Sequence, residues 1–287
     1  MTNQPQKIIA LIDGSVYAAS VCDHAAWIAR RTGAPVELIH VLGRRDVSDI
    51  QDHSGTIALG ARTSLLEQLA ELDAQRAKLI SHRGRAILED AQALLEKAGV
   101  TEITTRLRHG DIVEAVADVE GEARVIVIGK RGEAADFAKG HLGSNLERIV
   151  RASHKPVFVA SRAFKPVRQV LVAYDGGASA MKAIDHIARS PLFQGLGVHV
   201  VTVGTATPEV TRGLADAKAM LQVAGIEAET SVLPGQPETV LAKLVEEGRF
   251  DMLVMGAYGH SRIRSLIIGS TTTAMIRACK VPVVLMR

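Results

Sequence analysis

Short apolar runs punctuate the chain, each followed by a stretch in which apolar residues recur every three or four positions. Residues 7–12 (KIIALI) read as a strand ending on Asp13-Gly14-Ser15, and a helical pattern through Cys22, Trp27 and Ile28 follows. Residues 35–41 (PVELIHV) predict a second strand, 103–107 a third, 125–128 (VIVI) a fourth and 156–160 (PVFVA) a fifth. Between the second and third, 43–60 reads as a loop. Leu65, Leu66, Leu69, Leu72 and Leu79 then fall at helical spacing, which continues through Ile87, Leu88, Leu94 and Leu95 to a stop at Ala98-Gly99. Asp111 is placed to cap a helix carrying Ile112, Val113 and Val116, and residues 146–150 belong to another. Strands that alternate with helices predict a parallel sheet with right-handed crossovers.

After residue 169 the pattern starts again. Residues 170–174 lead to Asp175-Gly176-Gly177 as 8–12 lead to Asp13-Gly14-Ser15, and 198–203 answer 35–41. Ala224-Gly225-Ile226 answers Ala98-Gly99-Val100, Gly235 answers Gly110, and the Lys-Val-Pro-Val-Val of 280–284 answers the His-Lys-Pro-Val-Phe of 154–158. Asp13 and Asp175 stand 162 positions apart, as do the pairs Asp23-His24 and Asp185-His186. This is a tandem duplication. Val41 and Gly99 are 58 positions apart where Val203 and Gly225 are 22 apart, so the first copy carries 36 additional residues there. The expected division is a first domain over 1–163, with a helical insertion at about 43–83, and a second over 168–287. The polar stretch 162–169 around Pro166 is the linker.

With 287 residues the chain is long enough for two ordinary domains. Aromatic residues are only 3% while hydrophobic ones reach 47%, so the cores must be aliphatic, as in parallel sheets buried on both faces. Basic and acidic residues number 34 and 31, and no basic run with interleaved aromatics points to nucleic acid. Cys22 and Cys279 are too few and too far apart for a zinc site or a disulfide framework. The N-terminus lacks signal-peptide architecture and no apolar run reaches a membrane span, which makes a cytoplasmic location, away from membranes, the expectation.

The chemically informative stretch is 254–273, VMGAYGHSRIRSLIIGSTTT, with the spacing G-x2-G-x9-G-[ST] set by Gly256, Gly259, Gly269 and Ser270. Glycines at a strand's carboxyl end let the backbone approach a ligand closely. Gly269, Ser270 and Thr271 would offer free N–H groups at a helix start, where the macrodipole favours negative charge. A charge-assisted hydrogen bond contributes roughly 1.5–3 kcal/mol. Three or four would supply much of the roughly 8 kcal/mol of micromolar binding. The spacing therefore reads as a phosphate cradle; a turn that merely joins strand to helix is the alternative.

This stretch resembles the ATP-binding signature of the universal stress proteins, and the resemblance extends over almost the whole chain as two copies in tandem. It implies two five-stranded parallel-sheet, Rossmann-like domains related by a pseudo-twofold axis. It further implies a stress-response protein that binds ATP, with Mg2+, in the second copy. Carried over, Asp175 lies by the adenosine, Val203 lines the adenine pocket, Gly256 and Gly259 approach ribose and phosphates, and Gly269, Ser270 and Thr271 hold the triphosphate. His260, Arg262 and Arg264 are either solvated loop charges or phosphate neutralisers. Members of the family commonly dimerise through the last strand, so 157–159 and 283–286 would pair the two copies inside one chain; association of chains into a homodimer stays open.

The first copy departs from the pattern. Gly129, Gly132, Gly143 and Ser144 are present, but ten residues rather than nine separate Gly132 from Gly143. Glu133 and Asp136 in that loop would repel phosphate, with Lys130, Arg131 and Lys139 available to offset them. A weakened or altered site is expected there. Neither a P-loop nor HExxH nor GxSxG occurs, and no catalytic residue is assigned. Adjacent residues do not face each other on a helix, so Asp23-His24 and Asp185-His186 read as packing pairs, not dyads. Slow ATP hydrolysis is the most that such a cradle suggests. The rival reading is a module for a non-nucleotide ligand or partner, both cradles being vestigial.

Overall fold

A computed structural model of the chain describes residues 6–43, 59–132, 143–257 and 270–287. The first half runs β1 (Lys7–Leu11), α1 (Ala18–Thr32), β2 (Val36–Leu42) and then a helix of 39 residues, α2 (Leu59–Lys97). It continues through β3 (Ile103–His109), α3 (Ile112–Glu120), β4 (Ala123–Gly129), α4 (Ser144–Ala152) and β5 (Val157–Ala160). The second half repeats the series as β6 (Gln169–Ala173), α5 (Ala178–Arg189), β7 (Gly197–Val203), α6 (Pro208–Val223) and β8 (Ala228–Leu233). It closes with α7 (Pro237–Glu246), β9 (Met252–Gly256), α8 (Ser270–Ala278) and β10 (Val283–Met286).

All these strands belong to one sheet in the order β3-β2-β1-β4-β5-β10-β9-β6-β7-β8. Each half is the doubly wound series 3-2-1-4-5. Neighbours are parallel except at the centre, where β5 and β10 run antiparallel with Val283 opposite Val159, Val284 opposite Phe158 and Leu285 opposite Val157. The apolar edge of each copy is thereby consumed by the other, which leaves no aliphatic edge exposed at the seam. Side chains alternate across the sheet as a period of two requires. Ile8, Ala10, Val36, Leu38, Val170 and Val172 join one core layer, and Ile9, Leu11, Ile39, Leu171, Leu253 and Met255 join the other.

The glycines paired by the repeat adopt matching backbones. Gly99 and Gly225 follow α2 and α6 at φ +85° and +76°, and Gly110 and Gly235 follow β3 and β8 at +112° and +126°. A side chain would be strained at each. Asp111 caps α3, its carboxylate accepting from Val113 N at 2.8 Å. β8 lacks a conspicuous sequence signal: AETSVL is mostly small or polar, and its strand form comes from six paired positions against β7.

α2 is the large asymmetry between the halves, since its counterpart α6 has 16 residues. Its C-terminal part buries Leu88, Ala91 and Leu95 against the sheet. Gly84 marks where it meets β2 and β3, because a Cβ there would lie 2.8 Å from Leu107 Cδ1 and 3.0 Å from His40 Cδ2. N-terminal to that contact, residues 65–79 are exposed on every face of the helix.

Candidate functional site

In a doubly wound sheet the ligand crevice opens at the carboxyl edge where successive crossovers leave in opposite directions. In the second half that point lies between β6 and β9, which pair in parallel with Ala173 opposite Met255. β7 lies on the other side of β6, with Ala173 opposite Val201. Asp175, Val203 and Gly256 therefore stand at the same edge of three consecutive strands. α8 starts at Ser270, and its first turn is tied to that edge by Thr272, whose buried hydroxyl donates to Gly256 O at 3.5 Å and Ala257 O at 3.4 Å. The amides of Ser270 and Thr271 belong to the first helical turn and have no intrahelical acceptor. Five of the seven residues expected from the sequence are thus gathered at one edge. Gly259 and Gly269, with His260, Arg262 and Arg264, lie outside the described residues.

Individual roles are more specific than the motif suggests. Asp175 is exposed, and its Oδ1 accepts from Gly177 N at 2.9 Å, bending the chain from β6 into α5; Asp13 does the same with Ser15 N at 3.0 Å. Asp13 thus shapes a turn, while Tyr17 is the residue at the N-terminus of α1. Val203 is half-buried and is followed by Gly204 at φ +150°, whose N–H donates to Leu233 O at 2.8 Å. Gly256 supplies room for protein before ligand, since a Cβ on it would lie 2.9 Å from Ser179 Cβ in the first turn of α5. Ser179 and Thr272 were not singled out from the sequence. Their signal was available in the 162-residue offset, which pairs Ser179 with Tyr17, and in the third position of Ser-Thr-Thr-Thr.

The first crevice is built from the same positions and filled differently. A Cβ on Gly129 would lie 2.7 Å from Tyr17 Cβ, and one on Gly132 would lie 3.0 Å from an Asp13 carboxylate oxygen. A carboxylate thus sits against the backbone that a phosphate would approach. Gly143 N, at the start of α4, donates to Lys130 O at 3.3 Å, so this donor is already used. Lys130 does not offset acidic neighbours as its position in the loop suggests. Its ammonium is buried and donates to the Cys279 carbonyl at the C-terminal end of α8, across the seam between halves. Burial pulls its pKa down to about 8, the neighbouring Arg131 adds to that shift, and Cys279 opposes it.

His24 and Asp23 are not brought together. His24 is fully buried against Phe158 and Phe164, with ring centroids 5.3 and 5.1 Å away, and its Nδ1 lies 2.6 Å from Ser20 O; Asp23 is exposed. Desolvation holds its pKa to about 4, opposed by the hydrogen bond to Ser20 O. His186 packs edge-on against Phe193 at 6.1 Å, and burial, reinforced by Arg124, holds it to about 4 as well. Cys22 and Cys279 are buried free thiols whose pKa values burial pushes up to about 12 and about 11. Among the described residues no group of three His, Cys, Asp or Glu is arranged for a metal, and no helix is long and apolar enough to cross a membrane.

Fold and crevice together define a duplicated α/β protein of the doubly wound class, with a crevice at the switch point of its second half. The universal stress protein family model matches residues 5–161 and 203–287. A universal stress protein of Synechocystis sp. is 37% identical over 286 residues, which covers 98% of this chain and all of that one. One from Mycobacterium tuberculosis strain H37Rv is 24% identical over 255 residues, or 75% of this chain and 78% of that protein. The crystal structure of a universal stress protein from Archaeoglobus fulgidus superposes with a TM-score of 0.72 at 21% identity, covering 98% of this chain and 96% of that one. The chain belongs to the universal stress protein family.

Proposed function

We propose that the chain binds ATP, accompanied by Mg2+, in the crevice of its second half and acts as a cytoplasmic, nucleotide-linked sensor or regulator of the stress response. In this reading residues 1–163 and 168–287 are the two domains, and only the second holds nucleotide. The observation that carries it is the convergence of Asp175, Val203, Gly256 and the first turn of α8 on one edge of adjacent strands. The donor set suits the ligand, since main-chain N–H groups at a helix start favour phosphate oxygens. Ser270 and Thr271 would hold the phosphates and Asp175 and Val203 the adenosine, while Mg2+ would neutralise charge on the triphosphate.

The contrast between halves supports the same assignment. Tyr17 stands against Gly129 in the first crevice where the smaller Ser179 stands against Gly256 in the second. The output is a change in conformation or partner binding, with at most slow hydrolysis of ATP. Titration calorimetry of the full chain with Mg-ATP tests the reading. One site with micromolar affinity, abolished by Gly269→Glu, is expected. No heat from the unaltered protein, or unchanged binding by Gly269→Glu, would refute it.

A further inference from the structure

Residues 65–79 of α2 make about four turns of helix, and every one of them is exposed. A helical segment exposed all round is expected to be polar all round. It nevertheless carries Leu65, Leu69, Leu72 and Leu79, exposed by 37, 41, 60 and 70%. With Arg76 and Arg83 these form a 4-3-4-3-4 series, 65-69-72-76-79-83, the seam of a two-stranded coiled coil. Charge is segregated along the same stretch. Glu67, Glu71 and Asp73 are the charged residues of 65–75, and Arg76, Lys78, Arg83 and Arg85 are those of 76–85.

We propose that two copies of this chain associate through α2 as an antiparallel coiled coil centred near Ala74. That direction sets Arg76 and Arg83 against leucine, whereas a parallel pair would stack Arg76 on Arg76 and Arg83 on Arg83 within the seam. Registering the seam about residue 74 places Leu69 opposite Leu79, Leu72 opposite Arg76 and Leu65 opposite Arg83. The two arginines then lay their methylene stems on leucine, and Arg76 comes level with Asp73 of the facing helix. Gly84 lies close against Leu107 and His40, and the exposed stretch 65–79 precedes it along α2. The edges that pair β5 with β10 are already satisfied within one chain, so this contact is separate from the family-type strand pairing.

Sedimentation equilibrium of the full chain reads the association. A dimer is expected, and Leu69→Glu with Leu79→Glu should weaken it at least tenfold while leaving the unfolding midpoint of the body unchanged. Cysteine pairing reads direction. Leu69→Cys and Leu79→Cys proteins should crosslink when mixed under oxidation, and neither should crosslink alone. A monomer for the unaltered chain at about 100 µM protein, well above the micromolar range of specific association, would overturn the proposal. So would a dimer indifferent to the double glutamate variant, or crosslinking of Leu69→Cys with itself.

Discussion

Replacing His24 by asparagine isolates the cost of keeping an imidazole neutral inside the first half. The ring is fully buried between Phe158 and Phe164, its Nδ1 is bonded to Ser20 O, and its Nε2 has no partner among the described residues. Burial holds the folded pKa to about 4 against an ordinary 6.5. Between those values the unfolded chain carries a proton that the folded chain does not, so stability rises with pH across the window and falls on acidification. Integrated from pH 6.5 to 4, this amounts to roughly 3 kcal/mol from His24. His186, also held to about 4, contributes in the same window and is common to both proteins, so it cancels in the difference. Urea unfolding at half-unit steps from pH 7.5 to 4 supplies the assay. Whatever asparagine costs at pH 7, the gap between the two proteins should move in favour of His24→Asn by roughly 3 kcal/mol at pH 4. A gap that stays constant, or His24 ring signals that titrate near 6.5 in the folded protein, would refute the reasoning.

Ser179→Tyr copies the first crevice into the second and should weaken Mg-ATP binding at least tenfold by calorimetry without lowering the thermal midpoint; unchanged affinity would show that this position does not set access. Asp111→Ala removes the cap bond to Val113 N and the 2.6 Å pair with Arg148, with an expected loss of about 1 kcal/mol in chemical denaturation, nearly all from the cap because the pair is half-exposed. Lys130→Met acts at alkaline pH. A buried lysine lowered to about 8 adds stability as pH rises from 8 to 10.5. The thermal midpoint of the unaltered chain should therefore gain on the variant across that range, and parallel curves would refute the assignment.

Much of the fold was legible because parallel strands buried on both faces must be apolar without interruption. The runs at 8–12, 125–128 and 170–174 could hardly be anything else once helical spacing flanked them. The duplication was legible through residues that resist substitution for backbone reasons, namely Gly99 with Gly225 and Gly110 with Gly235, all at positive φ. β8 was not, because the strand owes its form to β7 more than to its own side chains. Nor could the loop sequence tell that Lys130 turns across the seam to the end of α8.

By itself the sequence determined two doubly wound copies, an apolar last strand in each, and a phosphate-type glycine pattern intact only in the second. These are properties of periodicity and spacing, which local chemistry enforces along the chain. Tertiary structure decided which side chains occupy each crevice, and how far α2 stands clear of the sheet. Tyr17 closing on Gly129, where Ser179 meets Gly256, and leucines exposed at 65–79 depend on distances between segments far apart in sequence. Contacts of that kind are set by close packing in three dimensions, which periodicity along the chain does not specify.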